Sequence, residues 1–164
     1  MRIAAGAGRF GALALGAASL ATLSGCFMDP SIAPRGDVAV TVSDGRVIVK
    51  TCDALDEVDH YTVQGVRRSF VDAYSATYAD LQSDGVDLAA GFTYVAGDSI
   101  AGMRLLDSND FEPDRADLIL ITVSGGSGVP PEHVLQEIPV PNGGFAPDEW
   151  GTPSGSVTTD PCAR

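Results

Sequence analysis

The stretch Asp37-Val38-Ala39-Val40-Thr41-Val42-Ser43-Asp44-Gly45-Arg46-Val47-Ile48-Val49-Lys50-Thr51-Cys52 decides the fold class. Two alternating runs rich in β-branched residues flank Asp44-Gly45, a pair that tolerates the positive φ angles of a two-residue type I′ turn. Pairing Ser43 with Arg46 sets Val42 opposite Val47, Val40 opposite Val49 and Val38 opposite Thr51. The valines then share one face while Arg46 and Lys50 share the other. The pattern predicts a hairpin with one face on a core and one in water.

Further strands are predicted C-terminal to this hairpin. Residues 61–66 alternate and read as a third strand. Residues 69–81 fit two readings. Phe70, Tyr74 and Tyr78 share a strand face at even spacing, yet they also recur every fourth residue as on a helix, with Ser69 and Asp72 placed as a capping box and Gly85 as a stop. Strand is favoured, because the neighbours are β and the segment holds Val, Thr and Tyr. Residues 91–96 and 103–106 read as short strands. Leu118-Ile119-Leu120-Ile121-Thr122-Val123 is an uninterrupted apolar run of strand length, which predicts a central strand buried on both sides. Pro139 and Pro141 confine a strand over 133–140 to a sheet edge. Phe145 and Trp150 are expected to plug the core, and residues 157–159 lead to Cys162. Short strands punctuated by turns predict a mainly β protein, an Ig-like β-sandwich of about seven to nine strands with at most one helix.

N-terminal to the hairpin the character changes. Arg2 and Arg9 are the only charges before an uncharged run from residue 10 to residue 23, which reads as a secretory leader with n- and h-regions. The run has 14 residues, short of the roughly 20 that a spanning helix needs. Directly after it stand Leu23-Ser24-Gly25-Cys26. These residues resemble the lipobox of bacterial lipoproteins: a branched apolar residue, two small ones and the cysteine that receives a diacylglyceryl group. The resemblance covers the leader alone. It implies cleavage before Cys26, lipidation of Cys26 and anchorage at the extracytoplasmic face of the cell membrane, since two acyl chains exceed the one that binds only reversibly. The resulting organisation is a signal peptide over 1–25, a lipidated cysteine and tether over 26–36, and an extracytoplasmic β-rich domain over 37–164. Extended, the Pro- and Gly-bearing tether reaches about 30 Å.

Charge narrows the partners. The 164 residues carry 22 Asp and Glu against 10 Lys and Arg, a net −12, and every carboxylate lies after the leader. Such a surface repels nucleic acid and anionic headgroups, so nucleic-acid binding is excluded and contact with the membrane rests on the lipid anchor.

Assigning Cys26 to lipid leaves Cys52 and Cys162, an even pair in a compartment where disulfides persist. A bridge between them is predicted as a structural staple; they lack the Cys-x-x-Cys spacing of a redox pair. A cysteine near the first hairpin and another close to the C-terminus also resemble small envelope lipoproteins of actinobacterial type, a likeness that brings no activity with it.

Several clusters invite a chemical reading and fall short of one. Asp53, Asp56, Glu57, Asp59 and His60 are dense in carboxylates, but their spacing matches no cation-wrapping loop, and a solvated loop is expected. Asp107-Ser108-Asn109-Asp110 opens like an EF-hand, then places Phe111 and Glu112 where a ligand and the turn glycine belong. Gly125-Gly126-Ser127-Gly128 is followed by Val129-Pro130-Pro131, so no helix N-terminus stands ready for a phosphate. The two histidines, His60 and His133, occupy no recognised triad context, and no nucleophile elbow or zinc-protease motif is present. The sequence therefore predicts no catalytic residue, metal or cofactor. It points to a membrane-anchored binding module whose partner is another envelope protein or a cell-wall component. The competing class is an envelope hydrolase whose carboxylates or histidines converge only on folding.

Overall fold

The computed structural model describes residues 37–69, 71–112, 115–125 and 132–162; the predicted leader, lipobox and tether, including Cys26, and the stretch 126–131 lie outside the described residues. Asp44 and Gly45 adopt φ of 52° and 73°, as the type I′ turn requires. They join β1 (Val38–Ser43) to β2 (Arg46–Thr51) in the register read from the sequence, Ser43 with Arg46 through to Val38 with Thr51.

Around this hairpin run β3 (Leu55–Arg67), β4 (Tyr74–Leu88), β5 (Thr93–Val95), β6 (Arg104–Asp107), β7 (Leu118–Gly125), β8 (Glu132–Pro139), β9 (Trp150–Gly151) and β10 (Val157–Thr158). They form two antiparallel five-stranded sheets, sheet A in the order β10-β9-β1-β2-β5 and sheet B in the order β6-β4-β3-β7-β8. The β-sandwich is thus borne out, without a helix among the described residues. The described residues hold ten strands rather than seven to nine, two of them, β9 and β10, only two residues long. No helix among the described residues is long and apolar enough to cross a membrane. Val40, Val47 and Val49 of sheet A meet Tyr61, Val63, Leu81, Ile119 and Ile121 of sheet B in one buried core. Tyr94 and Tyr61 close it edge to face at 5.6 Å between centroids.

Several expectations change in the folded chain. The acidic stretch after Cys52 is strand, not loop, from Leu55 onward. Leu55, Val58 and Tyr61 are all buried although they stand three apart, because bulges between Leu55 and Val58 and between Val58 and His60 each insert a residue. Three-residue spacing conceals a strand from any reading based on strict alternation. The bulge at Glu57 holds that residue at φ 52°.

The ambiguous 69–81 segment resolves as strand from Tyr74. Ser69 does use its hydroxyl as a cap, accepting from the amides of Val71 and Asp72, but a turn spends these bonds instead of a helix. β7 lies between β3 and β8 yet is not buried on both sides: Ile119, Ile121 and Val123 face the core, while Leu118, Leu120 and Thr122 are half-exposed on the outer face. β8 is the edge strand that its prolines demand.

Trp150 is the other correction. Gly151 pairs with Val40 and faces inward, since a Cβ there would meet Phe145 Cε1 at 2.6 Å and Ile138 Cγ2 at 3.0 Å. The adjacent Trp150 therefore turns to the outer face of sheet A, half-buried and level with Thr41 by continuation of the register, while Phe145 packs on the core as expected. Ala39 and Thr41 on that outer face are themselves buried, so β1 is not left with one face in water.

Candidate functional site

The two ends of β1 differ in chemistry. At its start the predicted disulfide is formed: Cys52, just past β2, bonds Cys162, with Cα atoms 5.3 Å apart. The Cys52 amide donates to the Asp37 carbonyl and the Asp37 amide to Asp53 Oδ2. Cys162 and Asp37 line one shallow pocket with the β9–β10 turn, where the hydroxyls of Thr152, Ser154 and Ser156 lie 2.8 Å from one another.

At the other end, next to the Asp44-Gly45 turn, opens a groove of about 440 Å³ between the sheets. Arg46, Gly97, Ser108, Asn109 and Asp110 line it, with Tyr78 and Phe111 at its base, edge to face at 5.2 Å. Arg46 is braced from two sides: Nε and Nη2 donate to the Ala96 carbonyl at 3.2 and 2.7 Å, and Nη2 donates to Asp98 Oδ1 at 2.6 Å. Asn109 donates to the Thr77 carbonyl. The polar lining of the groove is thus held in place by hydrogen bonds within the protein. Asp107–Asp110, the EF-hand-like stretch, ends β6 and enters the connection that forms the groove wall.

The groups that a hydrolase would recruit lie on the outer face of sheet B. His60 Nε2 sits 2.7 Å from Asp80 Oδ1, and Ser124 stands opposite His60 on β7. This resembles a serine–histidine–aspartate row, but Ser124 Oγ donates to Asp59 Oδ1 at 2.9 Å instead of to His60. The hydroxyl proton is committed to a carboxylate on the bulge, which leaves the row without its nucleophile-to-base bond. The backbone of His133 pairs with Ser124; the His133 side chain lies outside what is described. Among the described residues, no three of His, Cys, Asp and Glu converge as metal ligands.

Buried phenols mark the core next to these surfaces. Tyr61 Oη has no hydrogen-bond partner among the described residues, and burial first, then the neighbouring Tyr94, holds its pKa far above the ordinary phenol value. Burial likewise raises Tyr94, whose hydroxyl donates to the Asp98 carbonyl and accepts from the Gly97 amide. Burial, reinforced by Tyr74, raises Tyr78.

A raised folded pKa means that the native state keeps protons the unfolded chain gives up. The stability this contributes is complete below the unfolded value of about 10 and drains as pH climbs toward the folded values. Alkaline titration is expected to show ionisation of Tyr61, Tyr78 and Tyr94 rising together with loss of native circular dichroism. Full tyrosine ionisation near pH 10 in a chain that stays folded is the contrary result.

Sequence reasoning found the disulfide and the hairpin but missed the Arg46 brace, which joins residues fifty positions apart. Gly65, placed mid-strand, was the one available signal for the close approach of Tyr78. Compared with models of protein families, with curated proteins and with solved structures, the chain matches none.

Proposed function

We propose that the protein is a lipid-anchored binding module at the extracytoplasmic face of a bacterial cell membrane. The observation that carries this reading is Leu23-Ser24-Gly25-Cys26 at the close of an uncharged leader. The Cys52–Cys162 bridge supports it, since such bonds persist in oxidising compartments. Binding is preferred to hydrolysis on two grounds. The groove beside Arg46 has a polar lining held in place, and the His60–Asp80 pair stands on an open sheet face with Ser124 engaged elsewhere. The partner is an envelope protein or a cell-wall component, met at the end of a tether about 30 Å long.

Lipidation is tested by Cys26→Ser in the full chain. The variant is expected to leave the membrane fraction or to accumulate as uncleaved precursor. Undiminished membrane retention with normal processing overturns the proposal. Crosslinking in intact cells followed by purification then identifies the partner, and turnover of an envelope substrate by the purified protein would favour the hydrolase instead.

A further inference from the structure

Sheet A has an outer face unlike the rest of the molecule. Register carries one row across it: Thr158 beside Trp150, Trp150 level with Thr41, then Thr41 with Ile48 and Ile48 with Val95. Trp150, Ile48 and Val95 are half-buried, so their apolar surfaces are partly open to solvent. On either side of Ile48 along β2, on the same face, stand Arg46 and Lys50, the latter the only lysine in the chain. Lys50 carries its charge without an ion-pair partner among the described residues, whereas Arg46 is paired with Asp98. Not one strand residue of this face is acidic, in a chain with 22 carboxylates.

We infer that this face is a binding site for an anionic glycan, a chain of sugar rings bearing carboxylate or phosphate groups. The apolar side of a sugar ring stacks on the Trp150 indole and the flanking aliphatic surface, and its charged substituent meets Lys50. The field of the protein elsewhere repels such a polymer, and no strand residue of this face adds a carboxylate to that repulsion. An extended peptide suits the face less well, because the backbone groups of β1 and β2 are spent in the sheet and a strand would add at an edge. The inference rests on the reading above for the place where the glycan is met, and it names the class of that partner.

Trp150 is the only tryptophan, so its fluorescence reports this face alone. The purified full chain is titrated with polygalacturonate, with its neutral methyl ester and with polyglutamate. A saturable emission shift is expected with polygalacturonate only. Lys50→Gln is expected to weaken it about tenfold, the equivalent of roughly 1.4 kcal/mol. Calorimetry is expected to show a loss at least as large for Trp150→Ala, checked for folding by circular dichroism; Lys50→Gln keeps the test decisive if that variant unfolds.

No response to polygalacturonate overturns the inference, as does a response that Lys50→Gln leaves unchanged. Equal binding of the neutral ester would remove the role of charge, and equal binding of polyglutamate would give the face to acidic peptides; both overturn it. The two readings fail separately. A chain that binds the glycan but carries no lipid sinks only the membrane address, and a lipidated chain that ignores it sinks only this site.

Discussion

Gly65→Ala is expected to destabilise the domain by about 3 kcal/mol, a loss larger than most single substitutions cause. Gly65 lies in β3 opposite Ala76, and a Cβ there would stand 1.9 Å from Tyr78 Oη, 2.4 Å from Cζ and 2.6 Å from Cε2. The ring covers the bare backbone of the glycine, an arrangement that suits a sheet only while that position has no side chain. It has little room to move: Tyr78 is 1% exposed and packs against Phe111. Tyr78→Phe is not expected to rescue Gly65→Ala, because the ring carbon Cζ still collides. Tyr78→Leu, which removes the far end of the ring, is expected to recover part of the loss, so that the two substitutions couple by about 1 kcal/mol or more in a double-mutant cycle. Urea melts decide it; a Gly65→Ala variant within about 0.5 kcal/mol of the parent would show that the ring is free to move aside.

Loss of the disulfide is the second large effect. Cys52 and Cys162 close a loop of 110 residues, for which chain entropy alone gives about 4.7 kcal/mol. Native strain and residual structure in the unfolded chain lower that figure, and about 3 kcal/mol is expected for the double variant Cys52→Ser, Cys162→Ser. The loss should be uneven. β9 and β10 have two residues each, and Val40–Gly151 is the only ladder pair joining them to β1. The bridge is therefore what pins the last strands, and amide exchange should accelerate first over residues 150–162, with the β3–β7 centre following only on global unfolding. A variant with unchanged melting and unchanged exchange there would make the bridge incidental. Because Trp150 belongs to β9, the same variant is also expected to lose the fluorescence response to polygalacturonate.

These effects separate what local chemistry controls from what assembly controls. The hairpin could be read residue by residue because Asp44-Gly45 and the valine alternation act over neighbouring positions, and the folded register agrees at every pair. The edge position of β8 followed from proline, which lacks the amide a central strand must donate. The bridge followed from cysteine arithmetic. By contrast, the acidic stretch was misread because its bulges depend on strands β4 and β7 alongside, and their effect is to space buried residues three apart.

The amino-acid sequence by itself determined the β class, the first hairpin with its register, the cysteine pair and the acidic character of the chain. Each of these depends on turn geometry, side-chain alternation or summed charge, which act within a few residues or over the whole chain without regard to its path. Only the tertiary structure decided that Trp150 faces outward, that Tyr78 lies over Gly65, that Arg46 is braced by Ala96 and Asp98, and that Ser124 gives its proton to Asp59. Those facts depend on which distant strands lie side by side. A two-residue strand pairing through one glycine is enough to turn a tryptophan from core to surface.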